Sequence, residues 1–294
     1  MPNRSSLPPS AKHLLEVASL ALAAAQEALP AYGHRFSPKK FTQPQLAACM
    51  ALKTFLRQDY RGVCALLAVS RPLRKALGLK CVPHYSTLAH FSKRVLSEEA
   101  LAAMISEVAR RAGGAAKVEL ALDATGLETT NASAHFTARS GRKGRKYVKL
   151  TLSVTVGGLL VYGAAARWGP TNDKAHAPSV LEQSIRTARG AGHAIERLLA
   201  DAGYDAEWIH RFCREQHGIA SWIPPVVHRK DGRVGGRWRQ ESLAHLPADF
   251  GLRWHVESAI SALKRMFGSA LRARKPRAQL REVVLRALTW SIHR

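Results

Sequence analysis

Acids are scarce in this chain, which sets 45 Lys and Arg against 21 Asp and Glu for a formal net charge of +24, so their placement is informative. Asp123 follows an apolar run in "LALDATG", Asp201 follows another in "RLLADAGYD", and Glu257 is the lone acid of "FGLRWHVESAISALKRMFG". Apolar runs that lead into turn residues put both aspartates at strand ends, where α/β sheets usually build their sites. Taken singly, an Asp after a strand serves equally as a turn or helix cap. Three carboxylates gathered from two strands and one helix would make an oxygen-lined site suited to Mg²⁺. Two such ions about 3.5–4 Å apart activate an attacking oxygen and stabilise a leaving one in phosphodiester chemistry.

Basic residues stand where a phosphate backbone would meet such a site. Arg253, Glu257 and Lys264 fall at i, i+4 and i+11, one face of a helix, although Arg253 and Glu257 at that spacing also describe a plain surface ion pair. The stretch "HFTARSGRKGRKYVKL" carries Arg139, Arg142, Lys143, Arg145, Lys146 and Lys149 without an acid between them; it reads as a phosphate clamp, with a solvated hairpin tip as the alternative. Arg229, Lys230, Arg233, Arg237 and Arg239 invite the same reading. Trp238 and Trp254 are either base-stacking platforms or core residues. Asn172 and Asp173 are natural caps for the helix that follows, Asp205 for the next one, and His176 either approaches the acids or makes an ordinary hydrogen bond.

The elements that must position these residues follow from patterning. Residues 11–112 show apolar clusters at helical spacing broken by Pro and Gly. Within them "DYRGVCALLAVSRPLRKALGLKCVPHYSTLAHFSKRVL" describes a helix, a short helix, a turn at Gly78 and a helix starting near Ser86 that carries Lys93 and Arg94, beside His84. This is either a helix-turn-helix reading a DNA groove or a helical bundle with a solvated basic face. From "KVELALDATG", a short strand ending in a Gly turn, the texture changes: two strands around Gly157-Gly158, a helix over "HAPSVLEQSIRTARG", a strand at "ERLLADAGYD", a helix, a strand at "IASWIPPVV", a basic loop and two closing helices. The order predicts a mixed α/β sheet flanked by helices. The charge excess points to nucleic acid as partner. Cys49, Cys64, Cys81 and Cys213 form no metal or disulfide spacing and read as thiols in a reducing compartment. No apolar run is long enough for a membrane span.

"FGLRWHVESAISALKRMFG" resembles the Tyr-x2-Arg-x3-Glu-x6-Lys signature of bacterial insertion-sequence DDE transposases, with Phe250, Arg253, Glu257 and Lys264 in its four places and Phe250 where the family has Tyr. "LALDATGLE" and "LLADAGYDAE" are similar to the family's first-Asp and second-Asp strands, and the three motifs occur in the family's order between Val118 and Phe267. The resemblance implies an RNase H-like domain over 113–294 after a helical DNA-binding region over 1–112. It also implies a catalytic triad of Asp123, Asp201 and Glu257 holding two Mg²⁺ or Mn²⁺ ions, with Arg253 and Lys264 on DNA phosphates. The activity implied is cleavage and strand transfer at transposon ends by a homodimer on double-stranded DNA in the bacterial cytosol. The same triad permits a nuclease that cuts without joining, and the same basic surface permits a transposase derivative that only binds DNA. About 55 residues separate Asp201 from Glu257, too few for the large β-rich insertion that some relatives carry there.

Overall fold

The computed structural model describes residues 8–129, 147–228 and 230–294. The first part is helical: α1 (Pro9–Ala28), α2 (Gln43–Phe55), α3 (Tyr60–Val69), α4 (Arg71–Ala76), α5 (Tyr85–Arg94) and α6 (Glu98–Ala112). Local chemistry starts most of them. Thr42 and Gln45 form a capping box on α2, while the side chains of Asp59, Ser70 and Ser97 each accept a backbone N–H in the first turn of α3, α4 and α6. These satisfy donors that a helix N-terminus leaves without partners. Helix α5 differs from expectation: it begins at Tyr85 with His84 as N-cap, and the Ser86 hydroxyl bonds the His84 ring at 2.8 Å instead of capping.

Next come β1 (Lys117–Glu128), β2 (Tyr147–Thr155), β3 (Val161–Trp168), α7 (Ala177–Ala191), β4 (Ala194–Ala200), α8 (Glu207–Arg211) and β5 (Ala220–Trp222). Helices α9 (Arg237–Ala244), α10 (Trp254–Phe267) and α11 (Pro276–His293) complete the order. Two details depart from the sequence reading. β1 runs on through Gly126, because β2 pairs with it antiparallel as far as Glu128↔Tyr147, and the last four residues of the basic stretch before α10, Arg237–Gln240, open α9 rather than belonging to a loop.

The five strands form one mixed sheet in the order β3-β2-β1-β4-β5. β1–β2 and β2–β3 are antiparallel, β1–β4 and β4–β5 parallel. Helices cover both faces, which is the RNase H-like architecture. Alternation along a strand sends successive side chains to opposite faces. Leu120 and Leu122 join Leu198 and Ala200 in the core under α7 and α8, whereas Ala121 and Leu127 join the core built with the N-terminal helices, α10 and α11. The helical region and the sheet thus share one apolar core. At Gly163 an added Cβ would lie 2.5 Å from the Val180 carbonyl, so β3 and α7 approach as closely as only glycine permits. All four cysteines are free thiols.

Candidate active site

Strand alternation decides where the acids point. Asp123 is two residues beyond Ala121 and four before Leu127, on the sheet face that α10 covers. The parallel pairing of β1 with β4 ends at Leu122↔Ala200, so Asp123 and Asp201 are the next residues of two adjacent strands. Asp123 sits inside the long β1 rather than at its end: its position is the end of the β4 pairing, not of the strand. Asp201 caps a 3-10 turn, Ala202–Tyr204, where its Oδ1 accepts the Gly203 N–H at 3.0 Å.

Glu257 reaches this edge from the first turn of α10. A 3-10 turn, Phe250–Arg253, leads into that helix and places Arg253 between the carboxylates. Its Nη2 lies 2.5 Å from Glu257 Oε1 and its Nη1 3.8 Å from Asp123 Oδ2. The ion pair that the spacing allowed is present, and it extends to the strand. Burial pushes the Asp123 carboxyl up to about 6, with the charges of Asp201 and Glu257 adding to the rise and the Ala124 N–H and Arg253 opposing it. Half-exposed Glu257 completes an arrangement of concentrated negative charge answered by one guanidinium. Lys264 lies further along α10, half-buried.

What holds the helix there is a clamp that sequence reasoning did not find. Arg197 on β4 donates to Asp249 at 2.7 and 2.5 Å and to Glu119 of β1 at 2.9 Å. Asp249 immediately precedes the 3-10 turn, so β1, β4 and the start of α10 are fixed through one guanidinium. The signal was present as the one basic residue of that strand, beside Glu196.

Asp173 was also missed as a neighbour of the acids. An added Cβ on Gly203 would lie 2.9 Å from Asp201 Oδ1 and 3.5 Å from Asp173 Oδ2, so the two carboxylates flank that glycine. Lys149 of β2 approaches Asp173 Oδ1 at 2.5 Å, while Asn172 does the capping, accepting the Lys174 N–H. Tyr204, fully buried beside them, has its phenol pushed upward by burial first and then by Asp173, Asp123 and Asp201. His176 makes the ordinary bond, 2.7 Å to Thr171 Oγ1, and its pKa is lowered by burial and then by Arg167 and Lys149.

Other candidates separate by their contacts. Asp205 is not a helix cap: it pairs with Arg239 at 2.6 and 2.7 Å and accepts the Val226 N–H at 2.7 Å, so Arg239 anchors the basic segment instead of offering itself to phosphate. Trp238 lies under the Arg214 and Arg237 guanidinium groups, 4.6 and 4.4 Å from its ring centroid. Trp254 is not core; it is 52% exposed, stacked on His255 next to Arg253. Arg142, Lys143, Arg145 and Lys146, with Arg139 and Arg229, lie outside the described residues.

The donor chemistry fits a hard divalent cation, since the acids supply only oxygens and an underpaired negative charge. Among the described residues, however, no three His, Cys, Asp or Glu side chains come together as a metal-holding group, and Arg253 stands in the space between Asp123 and Glu257. Among the described residues no helix is long and apolar enough to cross a membrane. No curated protein matches the chain significantly. A sequence model described as "Transposase DDE domain" matches residues 114–292, a span that contains the whole sheet, both aspartates and α10. The chain belongs to the DDE transposase family.

Proposed function

We propose that the protein cuts and joins DNA at the ends of an insertion sequence, with Asp123, Asp201 and Glu257 as its catalytic acids. What supports this reading is that Asp123 and Asp201 each follow the last paired residue, Leu122↔Ala200, of two neighbouring parallel strands, while Arg253 at the start of α10 pairs with Glu257 and lies 3.8 Å from Asp123. Family membership supports transposition in general, and such enzymes generally use divalent metals.

Asp123 and Asp201 would ligate Mg²⁺ or Mn²⁺, and Glu257 would complete the set for a second ion. Bound there, the ions would supply an activated attacking oxygen and charge stabilisation for the leaving one. The protein's own groups do the rest. Arg253 gives up the carboxylates and turns its planar fork of donors to a DNA phosphate, a partner it fits bidentately. Lys264 holds a phosphate further along the same helix. Clamped by Arg197, Asp249 keeps α10 in register with the strands during this exchange. Trp254 offers an open aromatic face beside Arg253 on which an unpaired base stacks. Residues 1–112 would contribute DNA binding, together with the basic residues Arg142, Lys143, Arg145 and Lys146, and the working form would be a homodimer on double-stranded DNA in the bacterial cytosol.

The test is incubation of purified protein with labelled duplex carrying the ends that flank its gene, with Mg²⁺ or Mn²⁺ added. Nicks leaving 3′-hydroxyl groups, followed by joined products, are expected. Cleavage that never yields joined products would mark a nuclease. End binding without metal-dependent cleavage would mark a DNA-binding derivative.

A further inference from the structure

Beyond the far end of α10, about 15 Å from Glu257 at 1.5 Å per residue, the helical region and α11 enclose a cavity of about 210 Å³. Lys53, Arg272 and Arg281 line it, with Asp59, Tyr60 and Glu282. The two acids are already engaged. Glu282 accepts the Arg272 and Ala273 backbone N–H groups and pairs with Arg286 at 2.6 Å, and Asp59 caps α3 through the Gly62 N–H at 2.6 Å.

The cations are not equally served. The Lys53 ammonium makes no hydrogen bond or ion pair among the described residues; it lies 4.9 Å from the Tyr60 ring centroid. Burial lowers its pKa, with Arg272 and Arg286 adding to the fall against Glu282 and Asp59. Arg281 donates through Nη1 to the Lys93 carbonyl at 3.0 Å, but its Nε is buried with no partner. Buried cations and donors ordinarily find acceptors. A cavity with room for several waters, lined by the unpaired Lys53 ammonium and by the Arg272 and Arg281 side chains, offers the donors that an anion with several acceptor oxygens takes.

We propose that this cavity is an anion site that takes a phosphate group on Lys53 and Arg281, separate from the carboxylate edge. The phosphate belongs either to a DNA backbone or to a small phosphorylated molecule; both present the same oxygens to the same donors. The site stands independently of the triad, because its probe needs no cleavage.

Inorganic phosphate is that probe, at constant ionic strength against chloride. Amine acylation of the full chain, read by peptide mass mapping, should slow at Lys53 about fivefold when phosphate is near four times its Kd, while exposed Lys39 reacts unchanged. Phosphate should also raise the thermal midpoint, and Lys53→Met and Arg281→Gln should abolish that rise. If either variant fails to fold, the protection of wild-type Lys53 decides alone. A non-specific duplex then distinguishes the sources. Protection by duplex, with a salt dependence of DNA binding shallower by about one charge in Lys53→Met, assigns a backbone phosphate; protection by phosphate alone assigns a small ligand. Equal acylation of Lys53 in phosphate and chloride would overturn the site.

Discussion

Arg253 Nη2 lies 2.5 Å from Glu257 Oε1 while Nη1 of the same guanidinium lies 3.8 Å from Asp123 Oδ2, so one cation of the chain occupies the charge-neutralising position between two acids. Replacing it by Gln should therefore raise Mn²⁺ affinity of the DNA-free protein about fivefold, the order of 1 kcal/mol for a part-exposed pair, as read by electron paramagnetic resonance. The same variant should lose about 100-fold in cleavage rate, the usual loss on removing a group that stabilises transferring charge. Unchanged Mn²⁺ affinity would mean that Arg253 does not compete for the carboxylates.

The Arg197–Asp249 clamp acts on the site only through position. Asp249→Ala frees the turn before α10, and a displacement of 1 Å can cost about 100-fold in rate. We expect at least a tenfold loss of single-turnover cleavage with DNA affinity and its salt dependence unchanged, and substantial recovery in Asp249→Glu. A parallel loss of DNA affinity would show that the clamp does something else.

Asp205 and Arg239 form a partner-dependent pair: the carboxylate is 2% exposed and the guanidinium 19%. Asp205→Ala leaves the guanidinium uncompensated and should destabilise the protein by about 3–5 kcal/mol in urea unfolding. Removing both charges in Asp205→Ala/Arg239→Met should recover much of that loss, giving a large coupling energy in the double-mutant cycle. Additive losses would contradict the pairing.

Buried His210 bonds Ser221 Oγ through Nδ1 at 2.8 Å, and burial, then Arg214, lowers its pKa. The unfolded chain therefore takes up a proton near pH 6.5 that the folded chain refuses until lower pH. Stability from this residue is full above about pH 6.5 and falls as pH drops below it. The urea midpoint of wild type relative to His210→Gln should decline from pH 7 to pH 5; a constant difference would show that His210 is not buried neutral.

The placement of the acids after apolar runs, the succession of strands and helices along the chain and the helix bearing Glu257 were legible because each depends on local pattern: an apolar run before Asp, and an i, i+4 spacing on one face. What was not legible depends on pairing across the chain. The length of β1 beyond Asp123 is set by β2, which the apolar pattern around Gly126 does not reveal. Asp205 looked like a cap because its partner Arg239 lies 34 residues away, and Asp173 looked like one because Lys149 and Gly203 reach it from other elements. Whether Trp254 is core or a stacking platform depends on what α10 packs against, and its ring lies on the exposed side. Arg197 was passed over since a lone basic residue in a strand carries no motif; its meaning lies in Glu119 and Asp249 together.

The central claim is that Asp123, Asp201 and Glu257 are one catalytic unit. The most direct measurement is single-turnover cleavage of end DNA with Mn²⁺ by Asp123→Asn, Asp201→Asn and Glu257→Gln, alongside binding of the same DNA. The account predicts that each variant binds the DNA as wild type does yet cleaves at least about 1000-fold more slowly, and that pairs of substitutions cost little more than one, as groups acting as a unit do. Cleavage at the wild-type rate by any one of the three would contradict it.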